Sequence, residues 1–164
     1  YEVWWVFRGS ETRPKYVDVM NHYRLYFHAA IGAHFVAMLM ALYRLYETRG
    51  DTHNIPKFLD RLEAERALKP EDLAPLRERY ATAKPLWVKV SILRNKVYGH
   101  RALDLDIEEA FNEAGVTPFD FRDLVSQTKA LLNDLTQRLR NSTHAFNLSA
   151  THDTVRLFEA LKAK

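Results

Sequence analysis

The chain contains no cysteine among its 164 residues, which excludes disulfide scaffolds, thiolate metal sites and cysteine nucleophiles. It has only 5 glycines and 6 prolines, too little turn material for a sandwich or barrel of many short strands. Neither sign of charge dominates, since 24 Lys and Arg residues and 21 Asp and Glu residues give a net charge of +3. A site for a polyanion would therefore have to come from local clustering of basic residues.

The chain also lacks an apolar run of membrane-spanning length. The longest apolar stretch, from Ala29 to Tyr43, has 15 residues and includes His34. A membrane-spanning helix needs roughly 20 consecutive apolar residues. We therefore predict a buried core helix at this position, no association with a membrane, and a cytoplasmic protein, which agrees with the lack of cysteine.

Sequence patterns of catalytic or cofactor sites are missing as well. Seven histidines are scattered along the chain, and no two of them are spaced i, i+4 as two metal ligands on one helix face would be. The chain contains no HExxH, GxSxG, GxGxxG or P-loop motif, and Ser91 is followed three residues later by Arg94 instead of the Lys of an SxxK nucleophile. We predict neither a metal ion nor an organic cofactor.

Helical periodicity and helix-capping residues recur along the whole chain, and no segment has the alternation of a strand. The pattern predicts one long helix from Ser10 or Thr12 to about Thr48 and another from Pro70 to about Tyr98. Shorter helices are expected before Gly9, after Asn54, over Ile107 to Glu113, from Asp120 to Leu139, and from Thr151 or Asp153 to Lys164. The predicted fold class is all-α, and the unusual length of the first long helix favours a hairpin or a dimer.

One segment differs from the mixed charge of the rest of the chain. From Arg79 to Leu103 there are six Lys or Arg residues and no Asp or Glu. Apolar residues in this segment recur at helical spacing, so one face of the helix is expected to be anchored in a core. The anchoring residues are Leu86, Val90, Leu93 and Val97.

Arg94 and His100 are the residues of this segment with the clearest chemical potential. On a continuous helix they would lie about 120° apart, but Gly99 allows the chain to turn His100 back over the helix end. A guanidinium and an imidazole at a helix terminus make a suitable site for a phosphate group. The alternative is a basic helix end in which both side chains pair with nearby carboxylates and with the negative helix terminus.

The segment LRNKVYGHR resembles the R-x(4–6)-H motif of the HEPN superfamily, including a polar Asn after the Arg. The order of segments over about residues 1–140 is similar to that of the abortive-infection AbiU-like HEPN proteins of bacteria. The resemblance implies a HEPN-like helical domain over residues 1–140. We expect residues 141–164 to form a C-terminal helical extension that packs on the same domain.

This resemblance implies an up-and-down helical bundle of the HEPN type with long antiparallel helices, assembled as a homodimer. It implies a metal-independent endoribonuclease that acts in phage defence or in a toxin–antitoxin-like system. Arg94 and His100 take the catalytic positions and Asn95 the accessory polar position. The expected partners are RNA, a second copy of the chain, and an antitoxin or another defence-system protein. Neighbouring residues proposed to contact RNA are Lys96, Tyr98 and Arg101.

The sequence departs from one HEPN subgroup and leaves two other functions open. Ala102 occupies the position at which HEPN toxins modified by nucleotidyltransferases carry Tyr, so the resemblance does not extend to that regulation. The alternatives are a non-catalytic RNA- or nucleotide-binding HEPN module within a defence complex, and a helical domain whose basic end binds a protein. The intact Arg, Asn and His set favours the ribonuclease.

Overall fold

The computed structural model describes residues 1–96, 107–146 and 149–163, with the backbone alone at residues 107 and 108. Helices cover most of these residues and no strand occurs among them, which confirms the all-α prediction. The helices are α1 (Glu2–Arg8), α2 (Arg13–His22), α3 (Arg24–Tyr46), α4 (Ile55–Ala64), α5 (Pro70–Arg94), α6 (Ile107–Ala114), α7 (Pro118–Arg140) and α8 (Ala150–Lys162).

Side-chain caps determine where several of these helices begin. Asn54 Oδ1 accepts a hydrogen bond from the backbone N–H of Lys57 at 2.9 Å, which confirms the predicted start of α4. Helix α7 begins earlier than predicted, because its N-cap is Thr117 and not Asp120. Asp120 is the third residue of the helix, and the side chains of Thr117 and Asp120 each accept a hydrogen bond from the backbone N–H of the other, which forms a capping box. Helix α8 likewise begins after Ser149, whose hydroxyl accepts from the N–H of Thr151, and not at Thr151 or Asp153.

The long helix predicted up to about Thr48 is interrupted at Tyr23, so this prediction is wrong. Tyr23 has φ −106° and ψ 46°, which is outside helical geometry, and it separates α2 from α3. The interruption lets Tyr16 of α2 and Phe27 of α3 both pack against Phe158. Neither proline nor glycine lies at the break, so local sequence gives no signal for it, and tertiary packing decides it.

Contacts divide the chain into two compact units. The first unit contains Tyr1–Met38 and Phe146–Lys164. Helices α1, α2 and α8 contact one another in this unit, and the first part of α3 adds Phe27 to their core. The buried core is mostly aromatic and aliphatic, which explains part of the chain's high aromatic content. Its members are Val6, Phe7, Tyr16, Val19, Met20, Phe27 and Phe158.

The second unit contains Leu39–Ala145, and helix α5 is its central element. Helices α4, α6 and α7 all contact α5, and the contact with α7 is the most extensive. A buried polar pair joins the end of α3 to α7, where the hydroxyl of Tyr46 lies 2.8 Å from Oγ1 of Thr128. Thr128 also donates to the carbonyl of Leu124 at 2.7 Å, so this buried hydroxyl pair is satisfied.

Helix α3 is only partly buried, which corrects the prediction of a buried core helix. Within the described parts of the chain, α3 is a helix both long enough and apolar enough to cross a membrane. The mean hydropathy of its apolar stretch is 1.7, and 22% of that stretch is buried. A single helix of this kind is consistent with a soluble protein. One face carries buried residues such as Phe27 and Leu39, whereas Ala29, Ala33 and Ala37 are exposed.

Candidate functional site at the end of helix α5

Arg94 is the last residue of α5 and is held in place by the apolar residues that precede it. Val90 and Leu93 are completely buried, which confirms the prediction that Leu93 anchors this helix face. Arg94 follows Leu93 by one residue and is therefore turned away from that face, and its side chain is half-buried. The hydrophobic anchor fixes the position of the guanidinium without covering it.

Tyr43 and Asn95 surround the guanidinium of Arg94. Its central carbon lies 4.6 Å from the centroid of the Tyr43 ring, a cation–π contact. One terminal nitrogen donates to Oδ1 of Asn95 at 3.0 Å, and Nε is buried without a hydrogen-bond partner among the described residues. Because both contacts are with neutral groups, the charge of Arg94 is not compensated by any carboxylate in the described part of the chain.

Trp87 in turn supports Tyr43. The indole N–H of Trp87 donates to the carbonyl oxygen of Tyr43 at 3.1 Å, and the two rings stack with centroids 6.1 Å apart. Trp87 lies in α5 and Tyr43 lies in α3, so these contacts join the two helices directly behind Arg94. We infer that the orientation of Arg94 depends on the packing of α3 against α5.

A cavity of about 460 Å³ opens beside Arg94. Its wall combines cationic, aromatic and carboxylate side chains from the end of α3, the loop that follows it, and α5. The volume is in the usual range for a site that holds a small molecule or a nucleotide. The lining residues are Met40, Tyr43, Arg44, Glu47, Arg49, Asp51, Thr52, His53 and Arg94.

The cations of this cavity differ in how far they are neutralised. Arg49 forms an ion pair with Asp51 at 2.7 Å, and its hydrogen bonds lower the pKa of the Asp51 carboxyl below the usual value. Arg44 and Arg94 have no ion-pair partner within the ranges that the structure describes. These two side chains therefore supply the positive charge that is available to an anion.

The cavity includes residues that sequence reasoning missed. Arg44, Glu47 and His53 lie more than 40 residues before Arg94 in the chain and come close to it through packing of α3 on α5. No motif marks these three residues. The one available signal was weak, namely a histidine in the polar turn that follows α3.

The other predicted site residues are placed as follows. Asn95 is exposed and contacts Arg94, whereas Lys96 forms an ion pair with Glu113 of α6. Tyr98, His100 and Arg101 lie outside the described residues, so their position relative to Arg94 is not described. In the portion of the chain that is described, no three His, Asp or Glu side chains come together as a metal site would require.

The basic segment that contains Arg94 is partly neutralised by carboxylates of other helices. Nζ of Lys89 lies 3.0 Å from Oδ1 of Asp120, and Lys96 pairs with Glu113. The sequence shows no acidic residue near these lysines, because the carboxylates come from α6 and α7. Arg94, unlike Lys89 and Lys96, has no carboxylate partner among the described residues.

Asp120 joins α7 to α5 and should contribute to stability in a pH-dependent way. Burial raises the pKa of its carboxyl, but hydrogen bonds from Thr117 and Lys89 outweigh this effect, and the pKa lies below the ordinary 3.8. We expect Asp120→Asn to lower the free energy of unfolding by about 1–3 kcal/mol at neutral pH. Urea unfolding monitored by circular dichroism measures this difference.

The difference in the free energy of unfolding between the wild-type chain and Asp120→Asn should become smaller at acidic pH. Because the pKa of Asp120 is lower in the folded protein, its stabilisation is present above the unfolded pKa of 3.8 and is lost as the pH falls through the folded pKa. Asp123→Asn is the matched control, since its carboxylate is half-exposed and, among the residues that the structure describes, pairs only with its neighbour Arg122. A difference that stays constant down to acidic pH would contradict this assignment.

A second cavity, of about 430 Å³, lies between α5 and α7. It is lined by Glu78, Arg79, Gln127 and smaller residues, and Arg79 forms an ion pair with Asp134. Oε1 of Gln127 is buried and has no partner in the described part of the chain. Because its arginine is already neutralised, this cavity is less suited to an anion than the cavity beside Arg94.

The HEPN family model described as AbiU2 matches residues 1–158, nearly the whole chain. No curated protein and no solved structure matches the chain. The matched region includes Arg94, Asn95 and every residue that lines the cavity beside them.

Proposed function

The chain belongs to the AbiU2 family of HEPN domains, which is associated with abortive infection, and we propose that it is a metal-independent endoribonuclease. Its proposed setting is phage defence or a toxin–antitoxin-like system in the cytoplasm. The observation that carries the proposal is the guanidinium of Arg94, which lines an open cavity without a described carboxylate partner. A guanidinium binds phosphate oxygens through two parallel hydrogen bonds.

The proposed reaction uses the nucleophile that RNA itself carries. The 2′-oxygen attacks the adjacent phosphorus, the bond from phosphorus to the 5′-oxygen breaks, and the products are a 2′,3′-cyclic phosphate and a 5′-hydroxyl. One imidazole removes the proton of the 2′-hydroxyl and another protonates the leaving oxygen, and His100 from two copies of the chain supplies both. Arg94 stabilises the negative charge that develops on the phosphate oxygens, and Asn95 holds its guanidinium.

Neighbouring basic and aromatic side chains extend the proposed RNA contact. Tyr98 offers a ring for base stacking and Arg101 a further phosphate contact. Lys96 would have to exchange its ion pair with Glu113 for a phosphate, so its contribution is expected to be the smaller one. An antitoxin or another component of the defence system is the proposed regulatory partner.

A dimer is part of this proposal because one chain supplies only one His100. Helix α3 offers a surface for it, since Leu25, Ala29, Ala33 and Ala37 follow one another at helical spacing and are all exposed. Gly32 adds to the same surface, because a Cβ atom built on it would meet no atom within 4 Å. Small and apolar residues permit close approach of a second helix, and burying them removes apolar area from water.

We expect Ala33→Glu to dissociate the dimer, because it places a charge in the middle of the exposed apolar face of α3. Sedimentation velocity at micromolar concentration should show a dimer for the wild-type chain and a monomer for the variant. Ala81→Glu is the matched control, since Ala81 is also exposed but lies on α5. A wild-type chain that sediments as a monomer would rule out the shared site.

The activity itself is tested by incubating purified protein with RNA in EDTA. Cleavage should proceed, should leave 2′,3′-cyclic phosphate ends, and should be absent on an oligonucleotide with 2′-deoxyribose throughout. Binding should weaken as the salt concentration rises, because phosphate contacts release counterions. Cleavage that requires Mg²⁺, or that proceeds equally well on DNA, would overturn the proposal.

A binding result without cleavage would favour the non-catalytic module. In that case RNA or a nucleotide would occupy the cavity beside Arg94 while the dimer acts as one partner of a larger defence complex. The cavity fits such a role, because its volume and its two available guanidinium groups suit nucleotide binding irrespective of His100.

A further inference from the structure

Glu47 is unusual among the residues that line the cavity beside Arg94. It follows the last residue of α3, its exposed fraction is 5%, and it lines the cavity wall. Its side chain makes neither a hydrogen bond nor an ion pair with any residue that the structure describes. Its charge does act on Arg49, whose pKa is raised by the hydrogen bond with Asp51 and also by the charge of nearby Glu47, but Arg49 donates to Asp51 and not to Glu47. The stem of Glu47 is buried, whereas its carboxylate is accessible at the cavity wall. Because a carboxylate only accepts hydrogen bonds, one that lines a cavity without a protein donor is suited to a ligand that brings the donors.

The remaining wall of the cavity indicates that the ligand also carries negative charge. Arg44 and Arg94 are both without a carboxylate partner in the described ranges, and the imidazole of His53 adds a third group that can donate to an anion. A ligand that satisfies the whole cavity therefore has hydrogen-bond donors at one end and an anionic group at the other. A nucleotide has this combination in its base and its phosphate.

The chemistry of Glu47 distinguishes among the four bases of RNA. An ionised carboxylate is an acceptor only, and its two oxygens are best satisfied by two adjacent donors in one plane. Guanine presents such a pair, N1–H and the N2 amino group. Adenine and cytosine place a ring acceptor beside their amino group, and uracil places its one N–H between two carbonyl oxygens, so each would leave one carboxylate oxygen facing an acceptor.

We infer that the cavity beside Arg94 is a guanine-nucleotide site in which Glu47 accepts from N1–H and N2–H of the base and Arg44 or Arg94 binds a phosphate. This inference rests on the proposed function in that the guanine is taken to be part of the RNA substrate. Glu47 thereby acts as a specificity residue. The consequence is that RNA is held, and cut, next to a guanine.

The test uses ligands that differ only at the base. Oligouridine with 2′-O-methyl ribose, which cannot be cleaved through its 2′-oxygen, is prepared with one central guanine, hypoxanthine or adenine and titrated by fluorescence anisotropy. The guanine oligomer should bind about 5- to 150-fold tighter than the adenine oligomer, the range expected for a bidentate contact. Hypoxanthine keeps N1–H but lacks the amino group and should fall between them.

Glu47→Gln should abolish the preference for guanine, so that the guanine and adenine oligomers bind with equal affinity. Glu11→Gln, an exposed glutamate far along the chain from the cavity residues, is the matched control and should keep the preference. Circular dichroism establishes whether each variant is folded. If Glu47→Gln does not fold, the affinities of the wild-type chain for the three oligomers test the inference by themselves. Equal affinity for guanine and adenine, or a folded Glu47→Gln variant that keeps the preference, overturns the inference.

Titration with GMP, IMP and AMP separates this inference from the proposed function. Preference for GMP without any RNA binding would support the guanine site and would assign it to a free nucleotide, whereas the ribonuclease proposal would fail. RNA that is cleaved without regard to guanine would leave the ribonuclease standing and would overturn the guanine site. Failure to bind any of these ligands would overturn both.

Discussion

His100→Ala is expected to lower the rate of RNA cleavage by more than about 10²–10⁴-fold, the contribution of a single general acid or base, because it removes both groups at the same time. RNA affinity should remain largely unchanged, since Arg94 and the other cations still contact phosphate. Single-turnover cleavage of a labelled RNA, measured beside an anisotropy titration, separates the two effects. The wild-type rate should be highest near neutral pH, where one imidazole is neutral and its counterpart is protonated.

Two further variants test whether the loss of cleavage is specific to His100. His152→Ala removes an exposed histidine of α8 and should change neither cleavage nor binding. Arg94→Ala should impair both, because the guanidinium serves binding as well as charge stabilisation. If His100→Ala keeps full activity, the assignment of the imidazole is wrong, and a large drop in melting temperature for this variant would show that His100 is structural.

Phe158→Ala is expected to lower the free energy of unfolding of the first unit by about 3–5 kcal/mol. Phe158 is completely buried, its ring stacks on Tyr16 at 4.5 Å and on Phe27 at 5.0 Å, and it meets Phe7 edge-on at 5.7 Å. Truncation leaves a cavity in the middle of this aromatic cluster and removes ring contacts from three helices. Urea unfolding measures the effect.

Leu157→Ala is the matched control for this truncation. Leu157 is adjacent on α8 and 45% exposed, so its removal should cost much less than the loss of Phe158. Trp4 and Trp5 lie in the first unit and Trp87 lies in the second, so tryptophan fluorescence follows the first unit separately when both variants are made in a Trp87→Phe background. Equal losses for both variants would show that α8 does not complete the core of the first unit.

Local sequence signals predicted the helices well where their ends depend on neighbouring residues. Asn54 begins α4 as predicted, because the cap is a hydrogen bond to a backbone N–H only three residues away. The spacing of Val90 and Leu93 predicted the buried face of α5, and therefore the side on which Arg94 lies, for the same reason. These features depend on sequence separations of a few residues.

The prediction failed where a distant segment decides the outcome. The break at Tyr23 follows from the packing of Tyr16 and Phe27 on the same aromatic ring of α8, more than 130 residues further along the chain. The neutralisation of Lys89 was invisible for the same reason, because Asp120 lies on another helix. A pattern read along the chain has no information about which helices become neighbours.

The sequence by itself determined the all-α class, several helix boundaries and the family resemblance, since each depends on residue types at short, fixed separations. Only the tertiary structure decided that Arg94 is without a described carboxylate partner while the lysines beside it are paired. It also decided that Arg44, Glu47 and His53 share a cavity with Arg94. The physical reason is that charge compensation and cavity shape depend on distances between side chains in space, and the packing of α3 against α5 sets those distances.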